Sequence, residues 1–177
     1  VAMFDATISF LVTSVARFAF TGVAPKRVGN RHPLSAPFGV FKARDGFFVL
    51  AVLNTKLFHT MADAMQLPEL KTDPRFQDDS MRAENEAALR ASIEHWAADH
   101  SAFDVVASMQ AVGVPAAQIA NISDALASPH AQARALLRPV QGARVPGLAL
   151  PAQPAKFSGH AATPIRSAPR LGEDATE

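Results

Sequence analysis

The sequence predicts a mixed α/β fold of the α+β type, and three observations carry that expectation. Two apolar, aromatic and β-branched runs, residues 38–44 and 47–53, flank Asp45-Gly46, the dipeptide that two-residue type I′ turns favour because both central residues need positive φ. Residues 80–100 repeat apolar side chains at helical spacing. Hydrophobic residues make up 49% of the 177 and charged residues 19%, enough apolar material for a buried core and too little charge for disorder.

Taken in order, the chain opens on VAMFDATISFLVTSVARFAF, a helix-like run whose only charges are Asp5 and Arg17. A helix apolar all round is one buried in a larger body. Met3 then reads as core, and Asp5 needs a partner, because a bare buried carboxylate is costly. The run lacks the basic start and small-residue cleavage site of a signal peptide, and its uncharged part is shorter than the roughly 20 residues a bilayer span takes. A chain that starts at Val1 inside such a run reads as an excerpt.

Residues 21–37 follow as an aperiodic loop punctuated by Gly22, Pro25, Gly29, Asn30, Pro33 and Pro37. Lys26, Arg27, Arg31 and His32 sit in it with no acidic residue between them. A long loop between a helix and a hairpin concentrates binding residues. Two readings of each residue stay open: Gly29-Asn30 as a turn or a functional hinge, the cations as a solvated patch or an anion contact, His32 as a loop residue or a site residue.

After the hairpin, Thr55 is the expected N-cap of a helix carrying Leu57, Phe58, Met61 and Met65, which Pro68 ends. Residues 67–76 are a connector with two prolines. In the helix over 80–100, Leu89, Ile93, Trp96 and Ala97 form one face; Arg82, Glu84, Glu86, Arg90 and Glu94 lie mainly on the others. Ser101 and Asp104 make a capping box that opens a further helix, and Gly113 stops it. Residues 116–120 read as extended. Ser128-Pro129 opens a helix over 130–137. Residues 141–171, rich in Pro, Gly and Ala, read as an extended return segment or a tail.

Composition also excludes classes of function. Seventeen Lys and Arg against sixteen Asp and Glu give a net charge of +1, with no general drive toward nucleic acid or an acidic membrane. The absence of cysteine removes disulfides, thiolate catalysis and cysteine–zinc sites, and fits a reducing cytoplasm. None of the six histidines has the spacing of an HExxH zinc site, so no metal is expected. No Walker loop and no G-x-S-x-G nucleophile is present.

The order of motifs resembles the class III CoA-transferase family, which includes formyl-CoA transferase and carnitine-type CoA-transferases. VAMFDA resembles the helix entry after the family's catalytic segment. TG-x-x-P-x-R-x-GN-x-HP and PF-x-VF-x-A-x-DG-F resemble the passage into its small domain. LPEL-x-x-DPRF with Arg82 and Asn85, GVPAAQI, SPHAQAR and the closing P-x-LGE at residues 169–173 follow in the family's order. The similarity spans nearly the whole chain.

This resemblance implies a small α/β domain over residues 33–138. Residues 1–32 would be a helix and linker loop of a large Rossmann-like domain, and residues 139–177 a segment returning to it. It implies transfer of coenzyme A between an acyl-CoA and a small carboxylic acid, through acyl-aspartyl anhydride and aspartyl-CoA intermediates. The nucleophilic aspartate of the family lies before the counterpart of Val1, and Asp5 is not that residue, so no catalytic residue is expected in this chain and the chain alone is expected to be inactive. No permanent cofactor is implied; the coenzyme A thioester is a substrate. Met3 matches a methionine lining the CoA site. Gly29, Asn30, Arg31, His32 and Pro33, with Leu34 and Ser35, match a mobile glycine-rich loop over the reacting aspartate. Their departure from the glycine run implies a stiffer loop and weighs against oxalate or formyl specificity. His32 or Arg31 is the candidate to meet the acid substrate. The family assembles as interlocked homodimers. A 2-methylacyl-CoA racemase of the same fold, a complementing subunit of a split enzyme and a non-catalytic binding module are the alternatives.

Overall fold

The computed structural model describes residues 1–173 and 175. They form two compact units, Val1–Ile119 and Ala120–Glu177. The mixture of helices and small sheets is the expected α+β class.

The first unit opens with two helices where the sequence suggests one continuous run. α1 (Met3–Phe10) and α2 (Val12–Thr21) meet at a bend of 70°. Hydroxyls of Thr7 and Ser9 donate to the carbonyls of Met3 and Ala6 at 2.8 and 2.7 Å, a back-bonding that bends helices. Leu11 leaves helical geometry with ψ of 20°. No residue of either helix is buried within this chain, and Asp5 is exposed, so the expected burial of this run is not found here. No single helix is long and apolar enough to cross a membrane among the described residues, although this bent pair has the length and composition to do so.

The core of this unit is a three-stranded antiparallel sheet backed by helices. β1 (Phe38–Lys42) pairs with β2 (Phe47–Ala51), and β2 with β3 (Ala116–Gln118). Alternation puts Phe41, Phe48 and Leu50 on the buried face. Phe41 stands opposite Phe48 in register, their rings 5.8 Å apart. The turn differs from the predicted one. Ala43 N donates to Gly46 O at 2.9 Å, leaving Arg44 and Asp45 at the tip, and neither Asp45 nor Gly46 takes positive φ. The tip is held from outside instead. Asp45 Oδ1 accepts from Ala102 N at 2.8 Å, and Arg44 N donates to His100 O at 3.0 Å.

α3 (Thr55–Ala64) begins one residue earlier than expected: Asn54, not Thr55, is the N-cap, its Oδ1 accepting from Leu57 N at 2.9 Å. Two short 3-10 turns, Pro68–Lys71 and Pro74–Phe76, form the connector. The predicted helix over 80–100 is two helices, α4 (Asp79–Glu84) and α5 (Glu86–Ala97). The break falls at Asn85, whose side-chain amide donates to Met81 O at 2.9 Å and so competes with the helical ladder. α6 (Ala102–Ala111) has the expected cap, Ser101 Oγ accepting from Asp104 N at 3.0 Å, and Gly113 follows with φ of 77°. Phe58, Met61, Leu89, Ile93, Val105 and Met109 close over the sheet. Each such side chain contributes roughly 1.5–3 kcal/mol by leaving water.

In the second unit, α7 (Ile122–Ala127) is capped by Asn121, and α8 (Pro129–Ala133) by Ser128. α8 stops four residues short of the predicted end, because Ala135 takes φ of 47° and Leu137 already belongs to a strand. β4 (Leu137–Gln141) lies between antiparallel β5 (Ala149–Pro151) and parallel β6 (Ile165–Arg166).

Candidate functional site

α2 ends where Gly22 takes φ of 67° and its N–H returns to Phe18 O at 2.8 Å. The chain then runs without regular structure, Lys26 and Arg27 exposed, to Gly29 at φ of 69°. Beyond this point the loop is no longer free. Arg31 pairs with Gly39 as an antiparallel bridge on the outer edge of β1. Val40 N donates to Asn30 O at 2.9 Å, and His32 N to Phe38 O at 2.7 Å. The loop thus adds one antiparallel bridge to the sheet edge, and it covers backbone groups β1 would otherwise leave open.

His32 fixes the exit of this bridged stretch. Its ring stacks on Phe38 at 4.9 Å and 7°, and its Nδ1 accepts from Leu34 N at 3.2 Å. An aromatic pair of this kind adds about 0.5–1.5 kcal/mol beyond its burial. Pro33 is exposed at the following bend.

A groove of about 370 Å³ lies beside the bridged loop, lined by Asn30, Arg31, Lys42, Phe47 and Arg90 among others. Arg90 organises its floor. It binds Glu86 at 2.6 Å and Glu94 at 3.2 Å, donates to Val40 O at 2.6 Å, and covers the Phe41 ring at 4.4 Å. Both acids are therefore engaged. Arg31 and Lys42 have no ion-pair partner among the described residues, and with Arg90 they set three cations against Glu86 and Glu94, which also line the groove, a net charge of one positive.

A second guanidinium anchors the base of the loop. Arg82 is completely buried. It donates to Ala36 O at 2.8 Å, Phe76 O at 3.2 Å and Asp79 Oδ1 at 3.4 Å, with the Phe58 ring 4.6 Å away. Asp79 Oδ1 also accepts from Ala36 N at 3.3 Å. Burial pulls the Arg82 pKa below its ordinary value, and the attraction of Asp79 opposes that shift. The amphipathic pattern set Arg82 mainly off the apolar face, and the structure buries it all the same.

Of the residues singled out in the sequence, Asn30, Arg31 and His32 come together on the edge of β1, with Gly29 and Pro33 at its two ends. Met3 stands apart on α1, 86% exposed, and does not line the groove. None of the histidines forms an ion pair with a carboxylate, and no three His, Asp or Glu side chains converge, among the described residues. Three residues were not offered as site residues by the sequence: Gly39, Arg82 and Arg90. Only Gly39 carried a local signal, since a glycine inside an apolar strand marks close backbone approach.

The match to known proteins runs along the whole of this architecture. The model of CoA-transferase family III matches residues 1–175. The acetyl-CoA:oxalate CoA-transferase of Acetobacter aceti is 37% identical over 98% of this chain and 43% of its own length. The succinyl-CoA:mesaconate CoA-transferase of Haloarcula hispanica is 30% identical over 99% of this chain and 44% of its own. A crystal structure of a CAIB/BAIF family protein from Brucella suis superposes with a TM-score of 0.82 at 31% identity, covering 97% of this chain and 44% of that one. The chain spans less than half the length of these relatives. With the family model matching nearly the whole chain and a 37% identical relative covering 98% of it, the chain belongs to CoA-transferase family III.

Proposed function

We propose that this chain is the C-terminal part of an enzyme that moves coenzyme A from an acyl-CoA to a small dicarboxylic acid. The observation that carries this reading is the bridged loop, which sets unpaired Arg31 and Lys42 beside one groove in a member of CoA-transferase family III. The acceptor class follows from two relatives, whose names specify oxalate and mesaconate, both dicarboxylic acids. That supports acceptors of the kind the loop sequence weighed against.

The chemistry needs a carboxylate nucleophile, which is an aspartate of the N-terminal half of the longer protein. Its oxygen attacks the thioester carbonyl of the donor, and the CoA thiolate leaves. The thiolate then attacks the aspartyl carbonyl of the resulting anhydride and releases the donor acid, giving an aspartyl-CoA thioester. The acceptor carboxylate reverses both steps and departs as the new acyl-CoA. Negative charge grows on a carbonyl oxygen in each step, and Arg31 or His32 on the loop side offers a donor to it. A second carboxylate on the acceptor pairs with the remaining cation.

Met3 lines the CoA channel in this reading, and the unburied apolar faces of α1 and α2 pack on the large domain of an interlocked homodimer in the cytoplasm. The 177-residue chain by itself turns over no acyl-CoA. The test is intact-mass measurement of the longer protein incubated with an acyl-CoA donor alone. A covalent CoA adduct that disappears on adding a dicarboxylic acid is the expected result. Transfer that proceeds with no adduct at any time, or turnover by the 177-residue chain alone, would sink the mechanism.

A further inference from the structure

We infer that Gly39 is the positioning residue of the substrate-side loop: its missing side chain is what allows the loop to latch onto β1 and present Arg31 to the groove. A Cβ at Gly39 would lie 2.5 Å from Asn30 O, 2.9 Å from Arg31 Cα and 3.3 Å from Arg31 Cβ. The first two distances are impossible contacts, and both are with backbone, so no side-chain rotation relieves them. Gly39 has ordinary φ, which means that its glycine is required by the approach of the loop and not by its own conformation.

The latch has four parts around that contact. Two are the backbone hydrogen bonds from Val40 N and His32 N. One is the His32–Phe38 stack. The last is the closure of the exit by Leu34 N on His32 Nδ1. Any side chain at position 39 lifts Asn30 and Arg31 off the strand, and the hydrogen bonds at both neighbours stretch together. Among the described residues, the one hydrogen bond between Gly22 and Gly29, from Val23 N to Thr21 Oγ1 at 3.2 Å, is local and makes no tie to β1. Gly39 therefore acts through Arg31 and touches no substrate itself.

The importance of this latch for turnover rests on the proposed function; the latch itself does not. Two measurements separate them. Trypsin can cut after Lys26, Arg27 and Arg31, but a protease needs an unpaired extended segment. In the longer protein, cleavage after Arg31 is expected to be far slower than after Arg27, and Gly39→Ala is expected to bring the two rates together. Gly46→Ala is the matched control on the same hairpin, since a Cβ there meets only Ala102 Cβ at 3.9 Å.

In CoA transfer, Gly39→Ala is expected to lower kcat/KM for the acceptor acid by on the order of tenfold to a hundredfold, the scale of a misplacement of about 1 Å. Formation of the CoA adduct from donor alone should persist, and Gly46→Ala should match wild type in both. Rapid cut after Arg31 in the wild-type protein overturns the latch whatever the activity and whether or not the variant folds. A variant with a freed Arg31 and unchanged acceptor kinetics overturns the positioning role. A protected Arg31 in a wild-type protein that transfers no CoA supports the latch and refutes the proposed function instead.

Discussion

Removing the Arg82 side chain tests whether the loop is anchored from the core. Arg82→Ala leaves two buried carbonyls, Ala36 O and Phe76 O, without the donors that now stand at 2.8 and 3.2 Å. Each orphaned acceptor costs about 1–3 kcal/mol. Loss of the guanidinium over Phe58, a desolvated cation–π contact at 4.6 Å, adds up to about 2 kcal/mol. Relaxation and entering water recover part of this, so a destabilisation of about 4 kcal/mol is expected. Arg82→Lys should recover little, since one ammonium cannot span three acceptors in different directions. Urea unfolding of both variants against wild type, read as the change in midpoint at constant slope, measures the effect. A loss below about 1 kcal/mol for Arg82→Ala would refute the anchoring argument, because it would mean that these carbonyls reach water or other donors at no cost.

Three further outcomes follow from the same geometry. Asn54→Ala should cost about 1 kcal/mol and Thr55→Ala only a few tenths, by urea unfolding; the reverse order would restore Thr55 as the cap of α3. Asp73 accepts from the Arg75 side chain and backbone N–H, and these hydrogen bonds hold its carboxyl below the usual aspartate range. A depressed folded pKa contributes stability that is present above the ordinary value of about 3.9 and lost as pH falls through the folded value. The stability difference between wild type and Asp73→Asn should therefore shrink below pH 4, and the Asp73 carboxyl carbon should titrate higher in Arg75→Ala, as read by NMR. Asp45→Ala should remove the tie of the hairpin tip to the start of α6 and speed amide exchange at Ala102, whose N–H now donates to Asp45 Oδ1; unchanged exchange would show that this tie protects nothing.

Local pattern and long-range geometry divided the legibility of this molecule. The strands were readable because alternation at Phe41, Phe48 and Leu50 is a property of each strand alone. The Ser101 cap and the Gly113 stop were readable for the same reason, as each is settled within four residues. Some boundaries slipped for local reasons, as at Asn54 and Asn85, but two errors came where a distant partner decides. Asp45 looked like a type I′ turn residue, but its carboxylate serves Ala102, 57 residues away, and the turn follows that bond. Arg82 was set off the apolar face because the helical period assigns faces without knowing that Ala36 O waits 46 residues upstream.

The candidate loop shows how far the two kinds of information can be joined. Its cations and its glycine were visible as a cluster, and the family motif pointed to the same stretch. What no periodicity could supply was its state. The departure from the glycine run implied a stiffer loop but not how it is held: Arg31 bridges to β1, which offers an open edge and a glycine at the one position where two backbones must touch. The informative residue was therefore on the partner strand and not in the loop. A glycine that breaks an apolar strand while keeping ordinary φ asks what comes close to it, and here the answer is the backbone of Asn30 and Arg31. On this reasoning, loop position and cation position are coupled: a substitution that repacks β1 at residue 39 alters the groove as surely as one at Arg31 itself.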